Sequence, residues 1–223
     1  MPKIGVILSG CGVFDGSEIH EAVAVLHAID RHGAQAVCLA PEMELDEINH
    51  LNQQPTGKKR SVLMESARVA RGDVTPLAEV KGGDFDAIVL PGGFGAAKNL
   101  CDFASKGPEC TAHPEVTRVL TEAQRAGRPL GFACISPAVA ARVFGKELGP
   151  NLTIGDDAAT AGGLEAMGAT HQDCEVAGVV VDNRHRIVST PAYMRPERIT
   201  DVFTGIGAMV DKVMEMVEQP AAV

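Results

Sequence analysis

Short apolar segments alternate with longer amphipathic segments along most of the 223 residues. The short segments are rich in β-branched residues and predict buried strands, whereas the longer ones repeat apolar positions with the period of a helix. Strands are predicted at 3–9, 35–40, 85–90, 129–133, 178–182 and 186–190, and helices at 17–32, 61–71, 114–126, 136–144, 159–167 and 196–218. This alternation is typical of an α/β fold with a parallel sheet covered by helices.

Three segments add detail to this pattern. The first helix has two alternative apolar faces, which are Ile19, Val23, Leu26 and Ile29, or Ala22, Val25 and Ile29. Gly33 is expected to end this helix. The stretch 41–60 predicts a long polar excursion, whereas 179–188 predicts a hairpin with a polar turn. Because no linker or repeat divides the chain, we expect one domain over residues 1–223.

Composition excludes several classes of protein. A hydrophobic fraction of 45% with 22% charged residues excludes intrinsic disorder. The net charge of −9 and the pI near 5.2 argue against a nucleic-acid partner. No apolar run approaches the roughly 18 residues of a membrane span. Since residues 3–9 already predict a buried strand, no signal peptide is expected either, and the sequence predicts a cytoplasmic protein.

The six cysteines show no regular spacing. They lie at positions 11, 38, 101, 110, 134 and 174, and no two form a Cys-x-x-Cys pair. This pattern predicts neither a disulfide framework nor a zinc site, so we expect no metal. Most of the thiols are expected to be small buried apolar groups.

The loop after the first strand, residues 9–21, combines glycines with acidic residues. Its Gly10-x-Gly12 spacing does not continue as a dinucleotide-binding motif, so nucleotide binding is not expected. If Asp15 is the N-cap of the first helix, Glu18 falls at the third position and completes a capping box. Glu21, one turn later, either projects toward the strand ends or is an ordinary exposed helix residue.

A second glycine loop follows the strand at 85–90 and includes Gly92, Gly93 and Phe94. Adjacent glycines let backbone N–H groups approach a ligand, which suits an oxyanion site, although a plain tight turn is the simpler alternative. The third loop runs from a strand into Cys134 and then into a helix, as in a nucleophile elbow. There the helix dipole is expected to stabilise a thiolate, and the N–H of Ile135 is expected to face it.

Segments 9–21, 65–68, 91–100, 131–137 and 190–194 together resemble the ElbB-type proteins. These belong to the PfpI branch of the class I glutamine amidotransferase-like superfamily. The resemblance implies a flavodoxin-like three-layer α/β sandwich with a mostly parallel sheet, and a homodimer. It also implies a glyoxalase activity that needs no cofactor and acts on a small dicarbonyl substrate. An older association of the family is with isoprenoid biosynthesis.

Carried over onto this chain, the reactive cysteine of the family corresponds to Cys134. The glutamate beside it corresponds to Glu21, or to Glu18 if the alignment shifts by one turn. The oxyanion donors correspond to Gly93 and Ile135. We therefore expect Cys134 to add to glyoxal or methylglyoxal, and Glu21 to move a proton between the two carbons.

The sequence departs from the amidotransferase pattern at one point. Those enzymes need a histidine after the strand that follows the elbow, but residues 152–157 contain none. His20 is the only histidine expected near the thiol, and either Asp156 or Asp157 remains a candidate substitute. Hydrolysis of an amide is therefore the least favoured activity.

A non-enzymatic alternative also remains. Cys134 would then be oxidised rather than turned over, in a redox-sensing or chaperone-like protein, with Cys11 as a second reactive thiol.

Overall fold

The computed structural model describes residues 1–195 and 198–219. The strands are β1 Lys3–Ile7, β2 Gln35–Ala40, β3 Glu44–Asn49, β4 Gln54–Ser61, β5 Val74–Pro76, β6 Ala87–Leu90, β7 Leu130–Ala133, β8 Asn151–Leu152, β9 Thr170–His171, β10 Val180–Asp182 and β11 Ile187–Thr190. The α-helices are α1 Ile19–Arg31, α2 Val62–Val69, α3 Phe103–Lys106, α4 Pro114–Arg125, α5 Pro137–Leu148, α6 Ala158–Ala166 and α7 Ile199–Glu218.

Seven strands form the main sheet in the order β10-β11-β7-β6-β1-β2-β5. All neighbours are parallel except β10 and β11, which form the predicted antiparallel hairpin at the edge. Buried apolar residues cover both faces of the sheet, with α4 and α5 on one face and α1 and α7 on the other. The predicted three-layer α/β fold is therefore confirmed.

The first helix resolves the choice between its two apolar faces. Ala22, Val25 and Ile29 are buried, whereas Ile19 and Val23 are nearly half exposed. The helix is followed by Gly33 with a φ of +63°, a backbone conformation that favours glycine at this position. The second of the two predicted faces is therefore the one that packs against the core.

Most predicted elements occur, with boundaries that differ by a few residues. The strand predicted at 3–9 ends at Ile7, and the helix predicted at 136–144 continues to Leu148. The last helix begins at Ile199; the predicted start at 196 lies outside the described residues.

The long polar excursion predicted over 41–60 contains two strands that were not predicted. This segment forms the antiparallel hairpin β3–β4, with an irregularity in register between Asp46 and Ile48. Most of its side chains are exposed, so it lacks the alternating apolar pattern by which strands are recognised. Leu45 and Val62 anchor the hairpin by packing with Ala40 in a small separate cluster.

The topology brings three loops to one edge of the sheet. From β1 the chain crosses to β2 on one side, and β6 pairs on the other side of β1. The carboxyl ends of β1, β6 and β7 therefore lie around a switch point, where α/β proteins commonly bind ligands. Within the described ranges, none of the helices is long and apolar enough to cross a membrane.

Candidate active site

Cys134 lies in the sharp turn between β7 and α5. Its φ of +61° is in the left-handed region, which is unusual for a residue with a side chain and is a feature of nucleophile elbows. Its N–H donates to the carbonyl of Thr190 at 3.0 Å, so the turn is held to the end of the neighbouring strand β11. The side chain is buried, with 7% of its surface exposed.

The glycine loop after β6 packs directly against this cysteine. A Cβ on Gly92 would lie 2.3 Å from the Cβ of Cys134, so only glycine fits there. Gly93 has a φ of +95°, and a Cβ on it would lie 2.3 Å from the backbone nitrogen of Glu18. This geometry turns the N–H of Gly93 toward the sulfur of Cys134, together with that of Ile135. These are the two N–H groups that the sequence assigned to an oxyanion site, and that assignment stays a prediction.

Glu21 extends from the first turn of α1 to the underside of Cys134, where its carboxyl group faces the sulfur. It is fully buried. One oxygen, Oε2, accepts the N–H of Gly92 at 2.9 Å, and the other, Oε1, accepts the N–H of Tyr193 at 3.1 Å. Of the two acidic residues considered from the sequence, Glu21 is therefore the one in contact with the cysteine.

Glu18 has a different position from the one predicted. It is itself the N-cap of α1, because its carboxylate accepts the N–H of Glu21 at 2.8 Å. Its own N–H donates to the carbonyl of Gly92 at 3.0 Å, which ties the start of the helix to the glycine loop. The prediction that Asp15 caps this helix is wrong, since Asp15 lies before it and bonds elsewhere.

Burial sets the proton affinities of the Cys134–Glu21 pair. Desolvation, followed by the charge of Glu18, raises the pKa of Glu21 to about 7. Desolvation and the carboxylate of Glu21 also raise the pKa of the Cys134 thiol, against the lowering effect of the N–H groups of Gly93 and Ile135. This contradicts the predicted low thiol pKa, because the loss of hydration outweighs the backbone donors. The raised pKa of the thiol keeps its proton on the sulfur near neutral pH, so the carboxylate beside it can accept that proton only as the sulfur bonds to an electrophile.

A cavity of about 360 Å³ opens above the cysteine. It is lined by Val13, Glu18, Gly93, Phe94, Cys134, Ile135, Thr160, Tyr193 and Met194. The ring of Phe94 is 46% exposed, and the ammonium group of Lys98 lies 5.2 Å from its centre. Apolar side chains thus surround the sulfur, while Glu18 supplies a carboxylate at the wall.

The histidine and aspartates considered as substitute bases do not contact the thiol. His20 is half exposed and its Nδ1 forms a 2.9 Å hydrogen bond with the hydroxyl of Tyr193. Asp156 pairs with Arg195 at 3.2 Å, and Asp157 caps α6. Neither aspartate therefore serves as the base beside Cys134.

Cys11 belongs to a separate charged cluster. Asp15, which is almost fully buried, contacts the guanidinium of Arg60 on β4, and Arg60 also bonds Glu65 at 2.7 Å. Burial and the charge of Glu65 raise the pKa of the Cys11 thiol. Cys11 is absent from the lining of the cavity over Cys134, so the two thiols do not share one pocket.

Thr160 lines the cavity from α6, a helix that the sequence did not connect with the site. Val13 lies in the loop after β1, which the sequence did indicate, although this residue was not singled out. Tyr193 and Met194 lie in the 190–194 segment that carries part of the family resemblance, but the contact of Tyr193 with both Glu21 and His20 depends on the fold. Elsewhere in the described residues, no three His, Cys, Asp or Glu side chains converge as a metal site.

Similar curated proteins align over almost the whole chain. It is 44% identical over 225 residues to glutamine amidotransferase-like class 1 domain-containing protein 3, mitochondrial, of Homo sapiens, covering 96% of this chain and 83% of that protein. It is 42% identical to the ES1 protein homolog, mitochondrial, of Rattus norvegicus, covering 96% and 84%. No protein-family model matches the chain.

These relatives contradict the predicted cytoplasmic location, since both are described as mitochondrial. The prediction rested on the absence of a secretory signal peptide. That absence does not distinguish the cytoplasm from the interior of a mitochondrion.

Solved structures give the same grouping. An isoprenoid biosynthesis protein with amidotransferase-like domain from Ehrlichia chaffeensis superposes with a TM-score of 0.92 at 36% identity, covering 97% of this chain and all of that one. Glyoxalase III from Candida albicans superposes with a TM-score of 0.62 at 14% identity, covering 96% and 97%. The second likeness is one of fold alone.

Proposed function

Since the chain belongs to the ES1 family of glutamine amidotransferase-like class 1 domain proteins, we propose that it is a cofactor-independent glyoxalase. It would convert glyoxal to glycolate, or methylglyoxal to lactate, through a covalent adduct on Cys134. The observation that supports this most is the contact of the buried Glu21 carboxyl group with the Cys134 sulfur, beneath two backbone donors. The resemblance to ElbB-type proteins and the name of the glyoxalase III neighbour agree with this chemistry.

In the first step the sulfur of Cys134 bonds to an aldehyde carbon, and the carbonyl electrons move to its oxygen. Glu21 takes the thiol proton, for which a pKa of about 7 is well matched at neutral pH. The N–H groups of Gly93 and Ile135 stabilise the new oxyanion. Glu21 then returns the proton to that oxygen, which completes a neutral hemithioacetal and leaves Glu21 ionised.

In the second step Glu21 removes the hydrogen from the carbon bonded to sulfur, giving an enediol. Return of that proton to the neighbouring carbon yields a thioester of the hydroxy acid. Water then attacks the thioester carbonyl, the sulfur leaves and recovers a proton, and the acid is released. The sequence is redox-neutral and consumes one water, so it requires no external electron carrier.

An aldehyde suits this site better than an amide does. A C–N bond breaks only if the departing nitrogen is protonated, and amidotransferases use a positioned histidine for that purpose. His20 bonds Tyr193 rather than the thiol. Because an aldehyde has no leaving group, a cysteine and one carboxyl group are sufficient for its rearrangement.

The redox-sensing alternative has less support. A sensor cysteine is usually a thiolate that is open to solvent, because the thiolate reacts with peroxide. Cys134 is buried and the pKa of its thiol is raised by desolvation and by Glu21.

Product formation from glyoxal without added thiol or metal tests the proposal. We expect C134A and E21Q each to lower kcat/KM by at least about 1,000-fold, because each removes a group used in bond making. The matched control C11A removes a thiol outside the cavity and is expected to keep wild-type kcat/KM. Turnover in C134A comparable with wild type would contradict the assignment, as would an inactive C11A with an unchanged melting curve.

A further inference from the structure

The hydroxyl of Tyr193 and the ring of His20 form a hydrogen-bonded pair at the wall of the cavity. The two groups are 2.9 Å apart, and Tyr193 lines the space above Cys134. The side chain of His20 is 52% exposed, so the pair connects the cavity with solvent. Such a partly exposed pair is not required by the packing of the core.

The backbone fixes Tyr193 relative to the reacting groups. Its N–H donates to Oε1 of Glu21 at 3.1 Å, so the tyrosine is held by the same carboxyl group that faces the sulfur. The preceding residue, Ala192, has a φ of +45°, an unfavourable conformation for a residue with a side chain. Strain of this kind persists where the surrounding structure demands a particular geometry, and it is common at functional sites.

The charges around the pair keep the phenol in its neutral form. Burial, followed by the carboxylates of Glu18 and Glu21, raises the pKa of Tyr193. The carboxylate of Glu18 also lies 3.9 Å from Nδ1 of His20. In the tautomer with a proton on Nδ1, His20 donates to the oxygen of Tyr193 and leaves the phenol proton free for a ligand.

Thr160 also carries a hydroxyl and lines the cavity. Its backbone N–H donates to Asp157 at 2.8 Å, and its side chain lies near the same carboxylate, which caps α6. Tyr193, by contrast, is held by Glu21, the carboxyl group that faces the sulfur, so we take its hydroxyl as the donor to a substrate oxygen.

We propose that Tyr193 is a catalytic acid of the reaction proposed above, and that His20 is a positioning residue that relays its proton to and from solvent. As Glu21 removes the hydrogen from the sulfur-bearing carbon, the electrons of the second carbonyl move to its oxygen. The phenol O–H bond breaks and that oxygen takes the proton, which gives the enediol. As the thioester forms, the hydroxyl on the sulfur-bearing carbon gives its proton back to the phenolate, directly or through His20. Tyr193 thus ends the cycle as it began.

Three variants of the full chain test the relay, with glyoxal as substrate. Y193F keeps the N–H that binds Glu21 and is expected to lower kcat about 100-fold, with KM and the melting temperature unchanged. H20A is expected to lower kcat about 10-fold, because the phenol loses only its partner, and added imidazole should restore kcat since the site of His20 is open to solvent. Imidazole should not restore Y193F. The matched control H27A removes an exposed histidine of the same helix and should behave as wild type.

Several outcomes would overturn the relay alone. These are a wild-type kcat in Y193F while C134A is inactive, a rise in KM without a fall in kcat, or a loss in H20A that imidazole leaves uncorrected. A wild-type protein that produces no glycolate would overturn the proposed function and the relay with it. The two failures are therefore distinguishable in one set of assays.

Discussion

Glu21 shows how burial sets the chemistry of a single side chain. It has no exposed surface, and its two oxygens accept N–H groups from Gly92 and Tyr193. The backbone donors favour the ionised form, whereas desolvation and the nearby Glu18 carboxylate oppose it. Desolvation and the charge of Glu18 outweigh the backbone donors and raise the pKa of Glu21 to about 7. At this pKa the group can accept and return a proton in each cycle near neutral pH.

The pH dependence of turnover follows from this value. Glu21 must be ionised to accept the thiol proton, so kcat/KM is expected to fall about tenfold per pH unit below pH 7 and to level off above it. In E18Q the amide oxygen can still cap the helix, but the charge that raises the pKa of Glu21 is gone. The acidic limb of the kcat/KM profile should therefore shift to lower pH in E18Q. An unshifted limb in E18Q would show that Glu18 does not act on Glu21 through its charge.

At the same scale, the position of Cys134 in the turn between β7 and α5 was predictable from the sequence, whereas the N-cap of α1 was not. The elbow is a local feature, because a strand, a cysteine and a Ser-Pro helix start are adjacent in the chain. The cap depends on a distant contact, the hydrogen bond from the N–H of Glu18 to the carbonyl of Gly92. Residue preferences favoured Asp15 as the N-cap, but its carboxylate instead contacts the guanidinium of Arg60, 45 residues later in the chain.

At the scale of elements, the β3–β4 hairpin clamps the loop that follows β1. Arg60 on β4 contacts the buried carboxylate of Asp15 and bonds Glu65 on α2 at 2.7 Å, and the N–H of Ile48 on β3 donates to Asp15 at 2.9 Å. The hairpin therefore stabilises the loop through charge rather than through a large apolar surface. This explains why its polar sequence did not predict it. Of the seven strands of the main sheet, six were predicted, and the three-residue strand β5 was not.

Removal of the Arg60 guanidinium is expected to destabilise the protein. R60M leaves the carboxylates of Asp15 and Glu65 without their cation, and we expect it to lower the free energy of unfolding by about 3 kcal/mol. The adjacent K59M variant removes the exposed Lys59–Asp46 pair and should change stability little. Urea unfolding of both variants measures the difference. Equal losses of stability in R60M and K59M would contradict a specific role for the cluster of Arg60, Asp15 and Glu65. In the double variant R60M/D15N one of the unpaired carboxylates is also removed, so part of the lost stability should be recovered.

Two large apolar cores cover the two faces of the main sheet, and this arrangement was predictable from the sequence. Alternating strand and helix patterns require it, because a parallel sheet must be covered on both faces. The order of the strands is not encoded in that pattern, and it decides which loops meet. Loops at the carboxyl ends of parallel strands are expected at one edge of the sheet, and the pairing of β6 beside β1 brings the loops after β1, β6 and β7 together there.

The packing of the cores also predicts which thiols react in the folded protein. All six cysteines are free; Cys11 and Cys174 are partly exposed and the other four are buried. We expect a bulky disulfide reagent to modify these two rapidly in the native protein and all six in urea, as read by intact mass and peptide mapping. Rapid native modification of Cys38, Cys101 or Cys110 would mean that the cores open more readily than their packing indicates.

The two hydrogen bonds of Glu21 have a mechanical consequence. Its oxygens accept hydrogen bonds from the loop after β6 and from the loop after β11, so one carboxyl group links two parts of the sheet edge. An oxygen that takes up a proton changes from acceptor to donor and can no longer hold its N–H in the same way. In the proposed cycle, the hydrogen bonds of Glu21 to these two loops therefore weaken each time Glu21 takes up a proton and strengthen when the proton leaves. The edge of the sheet would then be less rigid in the steps in which Glu21 carries a proton and more rigid in the steps in which it is ionised.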